Sequence, residues 1–282
     1  MKTRVITGVL GVALFLVVAF FHDTILFQIV IAAINALAVY EVFAATNQKK
    51  NWPLLAASLI MAVVIPFVAV RRSPYLLLAV GFAYTLFVFC TLLMNRGETS
   101  MEKTAVVYMM TIILPVAFSS FIMLRDAYKG SPFGLQISDG VFFIFLCGIG
   151  AWVSDTAAFF CGKFLGRHKM CPRVSPHKTV EGAVGGVVFC VLGFLAAGLI
   201  YDAFLAGSAH VNYVWLLPVG AACSALSVLG DLSASLIKRA YGVKDFGNIF
   251  PGHGGLLDRF DSIIFVGPFL FLMVQLVPII IR

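Results

Sequence analysis

Three aspartates stand in or beside apolar runs where charge is costly: Asp231, Asp258 and Asp261. Asp258 and Asp261 are three residues apart with Arg259 between them, so on a helix both carboxylates share one face. Two carboxylates that close repel each other, and a divalent cation removes the conflict. Mg2+ takes hard oxygen ligands and usually keeps waters and substrate phosphates around it. The three aspartates are therefore the candidate metal ligands; the alternative is that Arg259 and nearby lysines neutralise them. Asp231 also belongs to a series, Ser224, Ser227, Asp231, Ser235 and Lys238, whose spacing of three or four residues aligns all five on one helix face. Such a stripe faces protein, water or ligand rather than lipid. Its plainer reading is hydrogen bonding between helices, with Asp231 paired to a lysine.

Before the Asp258 helix runs Phe250-Pro251-Gly252-His253-Gly254-Gly255. The glycines let backbone approach a ligand closely, and a following helix N-terminus suits phosphate. His253 fits two roles equally, contact with phosphate or proton donation on one side and a helix cap on the other. A second polar segment holds Ser175, Lys178, Thr179 and Glu181, with Ser154, Asp155 and Thr156 upstream. Lys178 is suited to a polyphosphate as a point charge. Ser175 and Thr179 are suited to hydrogen bonds with it, and Glu181 to orienting Lys178 or capping a helix. A positive-inside anchor explains the basic residues of this loop but not Asp155 or Glu181.

These residues need elements to hold them. Of 282 residues, 61% are hydrophobic and 12% charged, against about 25% charged in ordinary globular domains. A soluble surface cannot be covered with so little charge. Disorder, collagen and a disulfide scaffold are excluded on the same grounds. The net charge of +7 would suggest nucleic acid in a soluble protein, but here the basic residues fall between apolar runs and set orientation instead. The six cysteines include no CxxC pair and read as small hydrophobes.

A spanning helix needs about 20 apolar residues. Nine candidates occur, at roughly 5–21, 24–45, 54–70, 75–94, 104–124, 140–160, 183–205, 212–237 and 257–281. The first follows Lys2 and Arg4, is long for a signal peptide, and has no small-residue cleavage site after Phe21, so it reads as a retained anchor. With the N-terminus cytoplasmic, fifteen Lys and Arg fall on the cytoplasmic side and five on the other. Arg71 and Arg72 run against the rule. The expected fold is all-α, a polytopic membrane protein of about nine helices with its N-terminus in the cytoplasm. Residues 1–282 read as a single membrane domain, 1–139 mainly scaffold and 140–282 the catalytic helices and cytoplasmic loops. The richest loops, 161–182 and 238–259, share the cytoplasmic side. Together these features describe metal-dependent phosphoryl or nucleotidyl transfer to a lipid. A transporter site should instead lie near the membrane midplane. No P-loop and no DGxxAR motif occurs.

The run Ser235-x-Ile237-Lys238-Arg239-x4-Lys244-Asp245-x-Gly247-x2-Phe250-Pro251-x-His253-Gly254-Gly255-Leu256-x-Asp258-Arg259-Phe260-Asp261 resembles the signature of the phosphatidate cytidylyltransferases, without departure. Ser175-Pro176-x-Lys178-Thr179-x-Glu181-Gly182 is similar to a second motif of that family, which has Lys and Trp at the positions of His177 and Val180. Ser154-Asp155-Thr156 with Gly162 resembles a third. The resemblance implies about nine membrane helices, often as a homodimer; the compact length without soluble extensions suggests a bacterial inner membrane, and the charge count a site facing the cytoplasm. It implies that CTP and phosphatidate form CDP-diacylglycerol and pyrophosphate, with Mg2+ and a second cation such as K+, and with no nucleic acid as partner. By matched position, Asp231, Asp258 and Asp261 would hold metal and, with Lys238 and His253, form the catalytic set. Ser175, Lys178, Thr179, Ser235, Arg239, Lys244, Gly254, Gly255 and Arg259 would bind substrate. A CTP-dependent lipid-alcohol kinase is the neighbouring alternative, told apart by its product.

Overall fold

The computed structural model describes residues 23–94, 100–129, 131–250 and 254–282. The first candidate span, at 5–21, lies outside the described residues, as do Lys2, Arg4, Arg96 and His253. Four long helices come first: α1 (Ile25–Ala45), α2 (Trp52–Arg71), α3 (Pro74–Met94) and α4 (Met101–Arg125). Next, α5 (Ile137–Gly148) runs through a π-helical turn, Ile149–Val153, into α6 (Ser154–Leu165) without interruption. A hairpin of β1 (Lys169–Cys171) and β2 (Ser175–Thr179) leads into α7 (Val180–Phe204). After β3 (His210–Val211) comes α8 (Tyr213–Ala240), the four-residue α9 (Leu257–Phe260), α10 (Ile263–Leu276) and β4 (Ile280–Ile281).

Among the described residues, seven helices of 20–29 residues, counting α5 to α6 as one, are long and apolar enough to cross a membrane. This is the architecture of a polytopic all-α membrane protein, since a helix satisfies its own backbone in lipid. Many large side chains stay exposed on it, Leu78, Phe82, Leu93 and Phe204 among them. The sequence-predicted spans from 24–45 to 212–237 coincide with these helices to within a few residues, apart from the longer α5–α6 run.

Three local features depart from the expected pattern. The sixth span carries the π-turn. The 161–182 segment is folded rather than loose: α6 reaches Leu165, and β1 pairs antiparallel with β2, Cys171 opposite Ser175. The ninth candidate is broken, because α9 ends at Phe260 and α10 starts at Ile263. Two short ribbons, β1–β2 and β3–β4, supplement the helices.

The chain divides into two compact units. The first comprises Met1–Ile122 and Lys238–Phe260; the second comprises Met123–Ile237 and Asp261–Arg282. In the first, Phe118 packs edge-on against Phe260 at 5.8 Å between ring centroids. In the second, α7 approaches α6 through glycine. A Cβ on Gly182 would lie 2.7 Å from the Ala158 carbonyl, and one on Gly186 would lie 3.1 Å from that of Ser154. The helix pair so formed fixes the end of the hairpin that carries Lys178.

Candidate active site

In the second unit the polar stripe of α8 finds partners one by one. Ser224 shares a hydrogen bond of 2.6 Å with Ser154. Ser227 donates to Asp155 Oδ1 at 3.0 Å. The Lys178 ammonium sits 2.7 Å from Asp231 Oδ2 and also reaches the Val228 carbonyl. Ser235 donates to Asp231 Oδ1 at 3.3 Å. The plainer reading of the stripe therefore holds: serines bond between helices and Asp231 pairs with a lysine. The same stripe still presents one carboxylate with solvent access, since the Asp231 side chain is 28% exposed.

The π-turn explains how Asp155 joins this group. An extra residue in the turn shifts the helical register, a distortion frequent at functional sites. It brings Asp155 to Ser227 on α8 and to Ser262 at the start of α10; the Ser262 hydroxyl donates to Asp155 Oδ2. Gly150 within the turn packs on Cys223 and Val266, where a Cβ would be crowded at 3.0–3.1 Å. Gly230 does the same for the break before α10: a Cβ there would lie 2.6 Å from the Asp261 carbonyl. That close approach seats the Asp261 turn against the helical turn that bears Asp231. Asp261 is buried, and its Oδ1 accepts from the Ser262 amide at 2.8 Å.

In the first unit the centre is Asp258. Lys238 donates to its Oδ1 at 2.7 Å, and the amides of Phe246 and Gly255 donate to its Oδ2 at 2.9 Å each. Both side chains are nearly buried, 10% exposed for Lys238 and 3% for Asp258. The Lys238 ammonium also lies 5.4 Å over the Phe246 ring. Gly254 makes this possible with φ +85°, a left-handed conformation open to glycine, and a Cβ there would meet Asp258 Oδ2 at 3.1 Å. The helical face expected to be common to Asp258 and Asp261 does not form. The helix stops at Phe260, and the two aspartates belong to different units.

The remaining predicted residues are placed as follows. Thr179 is the N-cap of α7, its hydroxyl accepting from the Gly182 amide at 3.1 Å. Ser175 lies half-buried on β2. Glu181 does not orient Lys178. Its carboxylate accepts from the amides of Arg167 and His168 and lies 2.6 Å from His168 Nδ1, tying the start of the hairpin to α7. Arg239 donates to the Val243 carbonyl, and Lys244 and Arg259 are exposed.

Sequence reasoning missed Glu41 and did not assign Asp155 a role. Glu41 is 2% exposed on α1, and its two oxygens accept from the amides of Leu256 and Leu257 at 2.8 Å each. The signal was present in both cases, an ionisable residue inside an apolar run.

The donor set of the second unit fits a hard cation in kind. Asp155, Asp231, Asp261, Ser227, Ser235 and Ser262 offer carboxylate and hydroxyl oxygens, the hard donors that such an ion takes. Among the described residues no three His, Cys, Asp or Glu side chains are already drawn together as ligands. The charge of Asp231 is met instead by Lys178.

Comparison with known proteins bears on the chemistry. The profile of the cytidylyltransferase family matches residues 2–277. A phosphatidate cytidylyltransferase of Bacillus subtilis is 33% identical over 287 residues, covering 98% of each chain. Phosphatidate cytidylyltransferases of Staphylococcus epidermidis and Staphylococcus aureus are 40% and 42% identical over 155 residues, 54% of this chain and 57% of theirs.

Proposed function

The chain belongs to the cytidylyltransferase family, and on that premise we propose that it transfers CMP from CTP to phosphatidate, forming CDP-diacylglycerol and pyrophosphate. Membership along nearly the whole length carries this reading. A non-bridging oxygen of the lipid phosphate attacks the α-phosphorus of CTP. The bond from that phosphorus to the β-bridging oxygen breaks, and the electron pair leaves on pyrophosphate. A phosphate monoester loses its second proton near pH 6, so the nucleophile needs no strong base from the protein. The protein's work is positioning and charge compensation, as in other phosphoryl transfers.

Lys178 and Lys238 are built for that work. Each ammonium rests on a carboxylate in the absence of substrate and exchanges that partner for a phosphate oxygen when the nucleotide enters. Arg239, Lys244 and Arg259 add charge on exposed positions, His253 contacts phosphate, and Gly254 and Gly255 let backbone amides approach. Ser175, Thr179 and Ser235 supply hydroxyls. Mg2+ is the proposed cofactor. Asp231 and Asp261 would hold it once Lys178 turns to phosphate, and the family resemblance adds Asp258 as a third candidate ligand. When bound, the ion neutralises charge on the departing pyrophosphate. A K+ ion and a homodimer are expectations of the family resemblance and enter no step here.

We further propose nine membrane helices with a cytoplasmic N-terminus, and a cytoplasm-facing site in a bacterial inner membrane. The charge asymmetry of the loops supports this, as does the supply of nucleoside triphosphate on that side. The test of the reaction is incubation of detergent-purified protein with phosphatidate, Mg2+ and CTP labelled separately at the α and γ phosphates. Label from the α position in lipid, with labelled pyrophosphate released from the γ position, is expected. Transfer of γ label to a lipid alcohol in a parallel incubation would instead identify a kinase.

A further inference from the structure

Glu41 takes no part in the reaction just described, yet it is a buried carboxylate of the first unit with both oxygens engaged. It sits on a membrane helix, 2% exposed, where a charge is retained only for a return. Both its oxygens are used. Leu256 N and Leu257 N, amides at the start of a helical turn with no partners inside it, donate to Oε1 and Oε2 at 2.8 Å. The preceding amide, Gly255 N, donates to Asp258 Oδ2 at 2.9 Å. Three consecutive amides are thus divided between two carboxylates, one from α1 and one from the signature itself. Two glycines of the signature give Glu41 its room. A Cβ on Gly255 would lie 2.6 Å from both Glu41 oxygens, and a Cβ on Gly247 would press on Oε1.

We infer that Glu41 is a positioning residue for the transfer reaction: its carboxylate is the mould on which Gly247 and the segment from Gly254 to Asp258 set, and through that segment it fixes Asp258 and Lys238. The inference rests on the cytidylyl-transfer reading. Without Glu41, Leu256 N and Leu257 N lose their acceptors in a buried place, and the segment must shift to satisfy them. The Gly255 amide then leaves Asp258, and the Lys238 ammonium loses the fixed carboxylate that aims it. Binding of CTP depends on many phosphate contacts, whereas turnover depends on exact placement of a few, so the loss should fall on kcat.

The experiment uses the full-length protein in detergent and compares wild type, Glu41→Gln and Asn35→Ala. Asn35 is a fully buried polar residue of the same helix that bonds the Ala62 carbonyl, and it stands outside the site. The measurements are kcat and KM for CTP per folded protein, and amide hydrogen exchange at Leu256 and Leu257. For Glu41→Gln we expect at least ten-fold faster exchange at those two amides, kcat at least ten-fold lower, and KM within two-fold of wild type. Asn35→Ala should lose stability but keep its kcat. If Glu41→Gln does not fold, Gly247→Ala, which displaces the intact carboxylate, should give the same kinetic signature. Unchanged exchange, or faster exchange with kcat within three-fold of wild type, would overturn the proposal. A wild-type protein with no transferase activity would overturn the assigned reaction and this role with it. The exchange data would still show whether Glu41 holds the segment, so the two failures are distinguishable.

Discussion

Lys178 and Lys238 each lie 2.7 Å from an aspartate, but the two pairs differ in their surroundings. Asp231 keeps solvent access and, among the described residues, accepts besides the ammonium from the Ser235 hydroxyl. Asp258 is nearly buried and accepts from two backbone amides besides the ammonium. An asparagine at 231 can rotate its amide toward water. An asparagine at 258 must turn an N–H either on Lys238 or on a backbone amide. Asp231→Asn should therefore lower turnover by about 10²–10³ and leave the unfolding temperature in detergent where it was. Asp258→Asn should lower turnover and also cost about 1.5–3 kcal/mol of stability, the usual range for hydrogen bonds to a charged group. Labelled-CTP transfer and thermal unfolding check both, and a wild-type unfolding temperature for Asp258→Asn would remove its role as organiser of the loop. The candidate aspartates and lysines were legible because charge in an apolar run is conspicuous. Their pairing was only half legible. Lys178 and Asp231 are 53 residues apart in sequence, and nothing in either segment says which cation meets which anion. Glu41 was visible as an acid inside an apolar run, but its role was not, because the backbone amides that it accepts leave no mark in side-chain types.

Helices were the most legible elements, since run length against membrane thickness decides them almost alone. The exceptions have local causes. Asp261 Oδ1 takes the Ser262 amide for itself, and a short polar side chain that bonds neighbouring backbone competes with the helical ladder. That competition divides the last candidate span at the point where spacing alone suggested one helix. The π-turn at Ile149–Val153 changes hydrogen-bond register without changing hydropathy, so no apolar pattern reveals it. Glycine is similarly silent about its reasons. Gly81 on α3 has open space where a Cβ would go, while at Gly182 a Cβ would lie 2.7 Å from the Ala158 carbonyl. Gly81→Ala should stabilise the protein by about 0.5–1 kcal/mol through helix propensity. Gly182→Ala should destabilise it and lower transfer activity, because α7 must move from α6 and carry Lys178 away from Asp231. Unfolding in detergent and labelled-CTP transfer read both. Equal effects of the two substitutions would show that α6 and α7 tolerate separation.

Each compact unit of the molecule joins early and late stretches of sequence. In the second unit Asp139, fully buried at the start of α5, accepts from the Tyr201 hydroxyl at 2.5 Å and from Arg282 at 2.7 and 3.0 Å. The β3–β4 ribbon brings Arg282 there, pairing His210 with Ile281. Arg282→Ala removes the cation from a buried carboxylate and leaves it the neutral donors Tyr201, Ser138 and the Gln136 amide. Removing one partner of a fully buried pair costs about 3–5 kcal/mol, and since Arg282 is 20% exposed a loss of about 2–3 kcal/mol is expected. Thermal unfolding in detergent measures it, and an unchanged midpoint would mean that the neutral donors Tyr201, Ser138 and Gln136 N satisfy Asp139. The order of these partners along the chain has a consequence for how the protein is made. Asp139 precedes Arg282 by 143 residues, Glu41 precedes Leu256 by 215, and Asp155 precedes Ser262 by 107. In all three the acidic acceptor leaves the ribosome first and its donor follows more than a hundred residues later. At about 5–20 residues per second, Asp139 waits roughly 7–30 s for its guanidinium. The early helices must therefore enter the bilayer before these late donors exist, and the later stretch of each unit completes it.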